Sequence, residues 1–108
     1  MSQDARSIQD ELEHIREHID RLEKALANRP DYSLGEGDPE IVRWEMDKAL
    51  LEQSREREAN LVRALARMTQ GTYGTCERCG APIHPDRLAI LPGAQVCIRC
   101  ARSGVGME

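Results

Sequence analysis

Four cysteines, Cys76, Cys79, Cys97 and Cys100, follow the pattern C-x2-C-x17-C-x2-C. Each C-x2-C pair places two thiolates on one side of a tight turn, and two such knuckles close a tetrahedron around Zn2+. Gly80 follows the first knuckle, and Pro82, Pro85, Pro92 and Gly93 punctuate the intervening segment, where short strands or turns fit. Disulfides suit an oxidising compartment, and a thioredoxin-like use of C-x-x-C needs a βαβ context that is missing here. An iron–sulfur cluster takes the same ligands, but nothing else in the chain suggests electron transfer. The pattern therefore predicts zinc, and four thiolates leave no open position for catalysis, so the metal is structural. Ion binding at an apparent ~10–16 kcal/mol is enough to order a module with little core of its own.

A second spacing invites a catalytic reading. His14-Ile15-Arg16-Glu17-His18 spells H-x-x-E-H, a pattern used by one class of zinc proteases. On the helix expected there, Ile15 faces the seam, His14 is exposed and His18 flanks the seam. A protease also needs a third ligand, an oriented base and a cleft, so a solvated helix face is preferred. His84 lies between the cysteine pairs, but four well-spaced cysteines make it a loop residue and not a ligand. The chain is expected not to be an enzyme.

The elements that position the cysteines follow from composition and pattern. The chain has 108 residues, with 40% apolar residues but no Phe, and its rings are Tyr32, Trp44 and Tyr73. A core of Leu, Ile, Val, Ala and Met suits helix seams better than a sandwich or barrel. The net charge of −4 counts against a generic phosphate-backbone binder, and Arg78, Arg87, Arg99 and Arg102 carry no aromatic interleaving. Direct sequence-specific DNA binding is not expected. No stretch approaches ~18 apolar residues, so no membrane span is expected. Met1-Ser2-Gln3-Asp4 has no apolar signal-peptide region, and the expected location is cytoplasmic.

Ile8, Leu12, Ile15, Ile19, Leu22 and Leu26 recur at alternating steps of four and three, which predicts a helix from about Asp4 to Ala27 with one apolar seam. At ~1.5 Å per residue it reaches about 36 Å. Pro30 stops it by pushing Arg29 out of the α region. Asp38-Pro39-Glu40 restarts a helix: Asp38 caps, Pro39 fits the first turn and Glu40 suits the positive dipole end. This second helix runs to about Thr69, and Ile41, Val42, Trp44, Met46, Leu50, Leu51, Leu61, Val62, Leu65 and Met68 are its apolar positions. Its middle, Glu52 to Glu58, has no apolar residue. Folding back about Ser33 pairs Asp4 with about Val62. The predicted fold is mainly α: an antiparallel two-helix coiled-coil hairpin over 1–70, with a tip loop at 28–38, then a small four-cysteine zinc-finger module over 71–102 and a flexible tail over 103–108. Self-association into a longer bundle is the alternative, so the chain is a monomer or a homodimer.

Gly71-Thr72-Tyr73-Gly74-Thr75-Cys76-Glu77-Arg78-Cys79-Gly80, Pro82-Ile83, Arg87-Leu88, Pro92 and Cys97-Ile98-Arg99-Cys100 closely resemble the signature of the DksA/TraR zinc-finger proteins. The resemblance is tight over about thirty residues, and the preceding hairpin agrees in plan. It implies a regulator of bacterial transcription that binds RNA polymerase, inserts the hairpin into the secondary channel and places an acidic tip near the active centre. The tip carboxylates here are Asp31, Glu36, Asp38 and Glu40, and Arg87 matches the family's arginine beside leucine, which implies either contact with the channel rim or bracing of the zinc loop. The family's Asp-x-x-Asp-x-Ala tip motif is not kept: counting back from Cys76 lands on Ser33, Glu36 and Asp38, and Asp47-Lys48-Ala49 echoes only its second half. Leu91 and Ala101 stand where nucleotide-responsive members carry basic residues, so action without guanosine tetraphosphate is expected. A zinc-ribbon adaptor working through protein–protein contact or self-association of the coiled coil is the alternative. Trp44 is either an anchor for a partner or packs against the Tyr32–Leu34 loop.

Overall fold

The computed structural model describes residues 5–103, which contain four α-helices: α1 (Ala5–Leu26), α2 (Pro39–Gln70), α3 (Pro85–Ile90) and α4 (Ile98–Arg102). The expected flexible tail lies, from residue 104 onward, outside the described residues, as do the four residues on which the N-terminal reading rests. The mainly helical class expected from the seam pattern is what forms. Among the described residues there is no strand, and Thr75 and Pro82 make one isolated antiparallel bridge. No helix of the described residues is long and apolar enough to cross a membrane.

The chain divides into two compact units, residues 13–58 and residues 1–12 with 59–108, of which 5–12 and 59–103 are described. In the first unit, α1 and α2 run antiparallel, and Ile19, Leu22 and Leu51 are buried with Ile15 and Leu26 packed against them. The polar middle of α2 is closed in a way that periodicity does not reveal. Ser54, small enough to sit in the seam, is buried, and ion pairs from Arg16 Nε to Glu58 (2.9 Å) and from Arg55 Nη2 to Glu23 (2.6 Å) flank it. These pairs are partly exposed, so each contributes no more than about 1 kcal/mol; their main effect is on register.

That register differs from a simple fold-back. Pivoting at Ser33 sets Leu26 against Glu40 and Arg16 against Leu50. Instead the Trp44 indole N–H donates to the Leu26 carbonyl (3.2 Å), and Arg16 meets Glu58. The cause lies in the connection. Pro30 is buried, Tyr32–Leu34 winds into a 3-10 turn, and the Tyr32 ring meets Trp44 edge-on with centroids 6.2 Å apart. This compact loop lets the first turn of α2 overhang the end of α1. Trp44 therefore packs against its own loop, and it satisfies one of the carbonyls that a helix end leaves open. Val42, Met46 and Leu50, counted with the apolar positions of α2, stay 44%, 61% and 41% exposed.

In the second unit, Ile8, Leu61 and Ala64 are fully buried, and Leu12 nearly so. Cys76, Ile83, Leu88 and Cys97 form a buried cluster, with Tyr73, Ala94, Val96 and Cys100 packed against it. Between the cysteine pairs the chain makes α3 in place of a strand. Pro85 sits in its first turn, Asp86 follows, and the His84 side chain accepts from the Asp86 N–H at 3.0 Å. His84 thus caps a helix, in keeping with its assignment outside the ligand set.

Candidate metal centre

Each cysteine is placed by a short-range device. Gly80, at φ +78°, turns the chain directly after Cys79, and its N–H donates to the Cys76 carbonyl at 3.0 Å. A side chain at that φ is strained, which is why glycine serves here. The Cys76 N–H donates to the Ala81 carbonyl at 2.8 Å, completing the first knuckle. The second knuckle is built on α4: Cys97 is its N-cap, and the Ala101 N–H donates to the Cys97 carbonyl at 3.0 Å, so Cys100 lies one turn along. The Glu77 N–H donates to the Gln95 carbonyl at 2.8 Å, tying the two knuckles together.

The result is one cluster. The four Sγ atoms all lie within 4.8 Å of one another, with Cys76 to Cys100 and Cys79 to Cys97 both at 3.7 Å. A tetrahedron with Zn–S bonds of about 2.3 Å has edges of about 3.8 Å, so those two pairs already stand at the spacing zinc requires. Cys76 and Cys97 are buried, Cys100 is half-buried and Cys79 is exposed. The thiols have unequal surroundings: backbone N–H groups, that of Cys79 first, draw Cys76 down to about 6. The Cys100 N–H similarly lowers Cys97, whereas the neighbouring sulfur of Cys97 pushes Cys100 up to about 12. Four thiolates this close repel one another unless a cation is shared between them. The donor set and its spacing fit Zn2+, and a closed four-sulfur shell fixes structure and offers no site for substrate.

Residues 71–103 match the family model of the prokaryotic dksA/traR C4-type zinc finger. The chain belongs to the DksA/TraR zinc-finger family. It is 47% identical over 38 residues to an uncharacterized protein of Aquifex aeolicus (35% of this chain, 26% of that one) and 36% identical over 55 residues to an uncharacterized 8.5 kDa protein of Escherichia phage 186 (51% and 73%). It is also 32% identical over 91 residues to the RNA polymerase-binding transcription factor DksA of Caulobacter vibrioides (81% and 60%). The chain thus spans about a quarter of the first of these relatives and 60% of the last. The structure of transcription factor DksA2 from Pseudomonas aeruginosa superposes with a TM-score of 0.69 at 23% identity, over 95% of this chain and 81% of that one, which shows a shared fold.

Two residues that the spacing argument missed support this DksA/TraR zinc finger. Arg67, on the last turns of α2, is 6% exposed, and its Nη2 donates to the carbonyls of Thr72 (2.9 Å) and Thr75 (2.8 Å), the latter next to Cys76. Glu77 lies 3.6 Å from its Nη1. Gly93 is buried so closely against α2 that a Cβ there would stand 2.9 Å from the Asn60 carbonyl oxygen. An arginine on a helix and a glycine beside a proline give no local sign of such contacts. Arg87 donates from Nε to the Val96 carbonyl at 3.2 Å, next to Cys97, a contact that braces the zinc loop.

Of the tip carboxylates, Asp31, Glu36 and Asp38 lie on the loop and Glu40 lies in the first turn of α2, and their surroundings differ. Asp31 accepts from the Ser33 N–H (2.9 Å) and hydroxyl (2.6 Å), and these two bonds lower its pKa. Asp38 caps α2 by accepting from the Glu40 N–H at 2.9 Å. Glu36 and Glu40 are exposed. On α1, His14 is exposed and His18 half-buried, and the four cysteines are the only cluster of potential metal ligands among the described residues.

Proposed function

We propose that this chain is a non-enzymatic regulator of transcription that binds bacterial RNA polymerase through protein contacts, with the zinc end at the rim of the secondary channel and the acidic loop directed inward. The observation that carries this reading is the zinc finger of residues 71–103 together with 32% identity, over 81% of the chain, to a protein named an RNA polymerase-binding transcription factor. Charge supports it: the first forty residues hold eleven acidic and five basic side chains, so the negative charge is concentrated in α1 and the loop. Asp31, Glu36, Asp38 and Glu40 are the groups for basic channel residues or catalytic magnesium ions. Arg87 serves the zinc end, where one residue can both brace the loop and face the rim. The same charge distribution opposes direct binding to DNA, and the assigned location is the cytoplasm.

The test is co-purification with core polymerase followed by an initiation assay. Asp38→Asn with Glu40→Gln removes two charges while keeping an oxygen that can cap α2. The double variant is expected to lose most of its effect on initiation while still binding polymerase. Full activity in the variant refutes the tip assignment, and absence of wild-type binding refutes the reading itself.

A further inference from the structure

An open groove of about 590 Å3 lies beside the loop, floored by Ile41, Val42, Met46 and the Tyr32 ring. Tyr32, Val42 and Met46 are 46%, 44% and 61% exposed, an apolar face that the hairpin seam leaves uncovered. Glu36 and Glu45 are among the residues that line it, and none of the lining residues is basic. Glu45 accepts from the Tyr32 hydroxyl at 2.7 Å, which fixes the ring as one wall, and Lys48 lies 3.9 Å from its other oxygen. Lys48 also sits 5.0 Å from the Trp44 ring centroid. Glu36 is exposed, the adjoining loop adds Asp31 and Asp38 against the single base Arg29, and the start of α2 adds Glu40 and Asp47 against Arg43.

From this juxtaposition we propose that the groove is a docking site for a basic polypeptide segment that seats an apolar side chain against Met46 and Val42. The inference rests on the reading that this end of the hairpin meets RNA polymerase, and it names the chemistry of the segment met there. Charge complementarity selects the occupant. A second copy docking through the same groove would bring its own Glu36 and Glu45 against the first pair, like charges on both sides. A second copy is therefore a poor fit, and nucleic acid is repelled by the same carboxylates. A segment bearing Lys or Arg beside an apolar residue satisfies both the floor and the rim.

Three variants at one exposed position separate these occupants, with circular dichroism used to confirm an unchanged helical signal. Binding to core polymerase is measured for wild type, Met46→Gln, Met46→Lys and Met46→Glu. The Gln variant is expected to bind a few-fold more weakly through loss of the anchor, and the Lys variant at least about tenfold more weakly than the Glu variant. Equal affinities for Lys and Glu, a weaker Glu variant, or an unchanged Gln variant overturns the proposal. A wild-type dimer that Met46→Lys dissociates also overturns it, by making a second copy the occupant. If the wild type does not bind polymerase, the functional reading fails first and this inference falls with it.

Discussion

Gly93→Ala tests how the segment before the second cysteine pair is seated on α2. The added methyl would lie 2.9 Å from the Asn60 carbonyl oxygen and 3.1 Å from the Arg63 Cβ. Carbon atoms at rest stand about 3.5–4.0 Å apart, so the two elements must separate by roughly half an ångström. Neither neighbour is the free end of a flexible chain: one is helix backbone, and the other is anchored directly to it. Overpacking of this kind costs about 1–3 kcal/mol. Gly93 is not among the positive-φ glycines, so no conformational strain adds to the steric cost. Alanine also reduces the entropy of the unfolded chain, which stabilises by about 0.4–1 kcal/mol in the opposite direction. The net is a destabilisation of at most about 2.6 kcal/mol, with a central value of about 1.3 kcal/mol. For a domain of this size that lowers the melting temperature by roughly 4–8 °C per kcal/mol. Thermal unfolding of the zinc-loaded protein, followed by circular dichroism with zinc content measured in parallel, reads this directly. A raised melting temperature would leave only the entropic term and refute the close seating of Gly93 on Asn60.

Two further outcomes follow from the metal centre. Chelation of zinc is expected to disorder the cysteine module while most of the helical signal survives, because α1 and α2 hold 22 and 32 helical residues against 6 and 5 in α3 and α4; hydrogen exchange that leaves residues 71–103 protected after chelation contradicts this. Arg67→Met removes two charge-assisted hydrogen bonds to the carbonyls of Thr72 and Thr75, each contributing about 1.5–3 kcal/mol, and a buried methionine offsets part of the loss. Zinc should then be stripped at a lower chelator concentration, and unchanged retention would show that Arg67 does not position the first knuckle.

The features legible in the sequence are those set by residues near one another along the chain. Two C-x2-C pairs at this separation report a four-thiolate site, and Asp38-Pro39-Glu40 starts a helix because cap, proline and dipole act within one turn. The alternating four-and-three spacing of Ile8 to Leu26 likewise reports α1, since helix period is a local property. The α3 helix was obscured because prolines punctuate turns and also begin helices, and only the His84 cap and the packing of Leu88 decide between them.

Long-range contacts needed the tertiary structure. The hairpin register depends on a loop folded around Trp44 and on the ion pairs Arg16–Glu58 and Glu23–Arg55, which join residues far apart in sequence. Periodicity counts Val42, Met46 and Leu50 as apolar without showing which face of α2 the partner helix covers, and that choice leaves the groove beside the tip. Ser54 in the seam, Arg67 buried under the first knuckle and Gly93 against Asn60 take their roles from the surfaces that meet them. The sequence by itself determined the metal and the two long helices, because ligand spacing and helical period are local. Only the tertiary structure decided which side chains brace the metal and which remain available to a partner, because burial depends on what packs across from each residue.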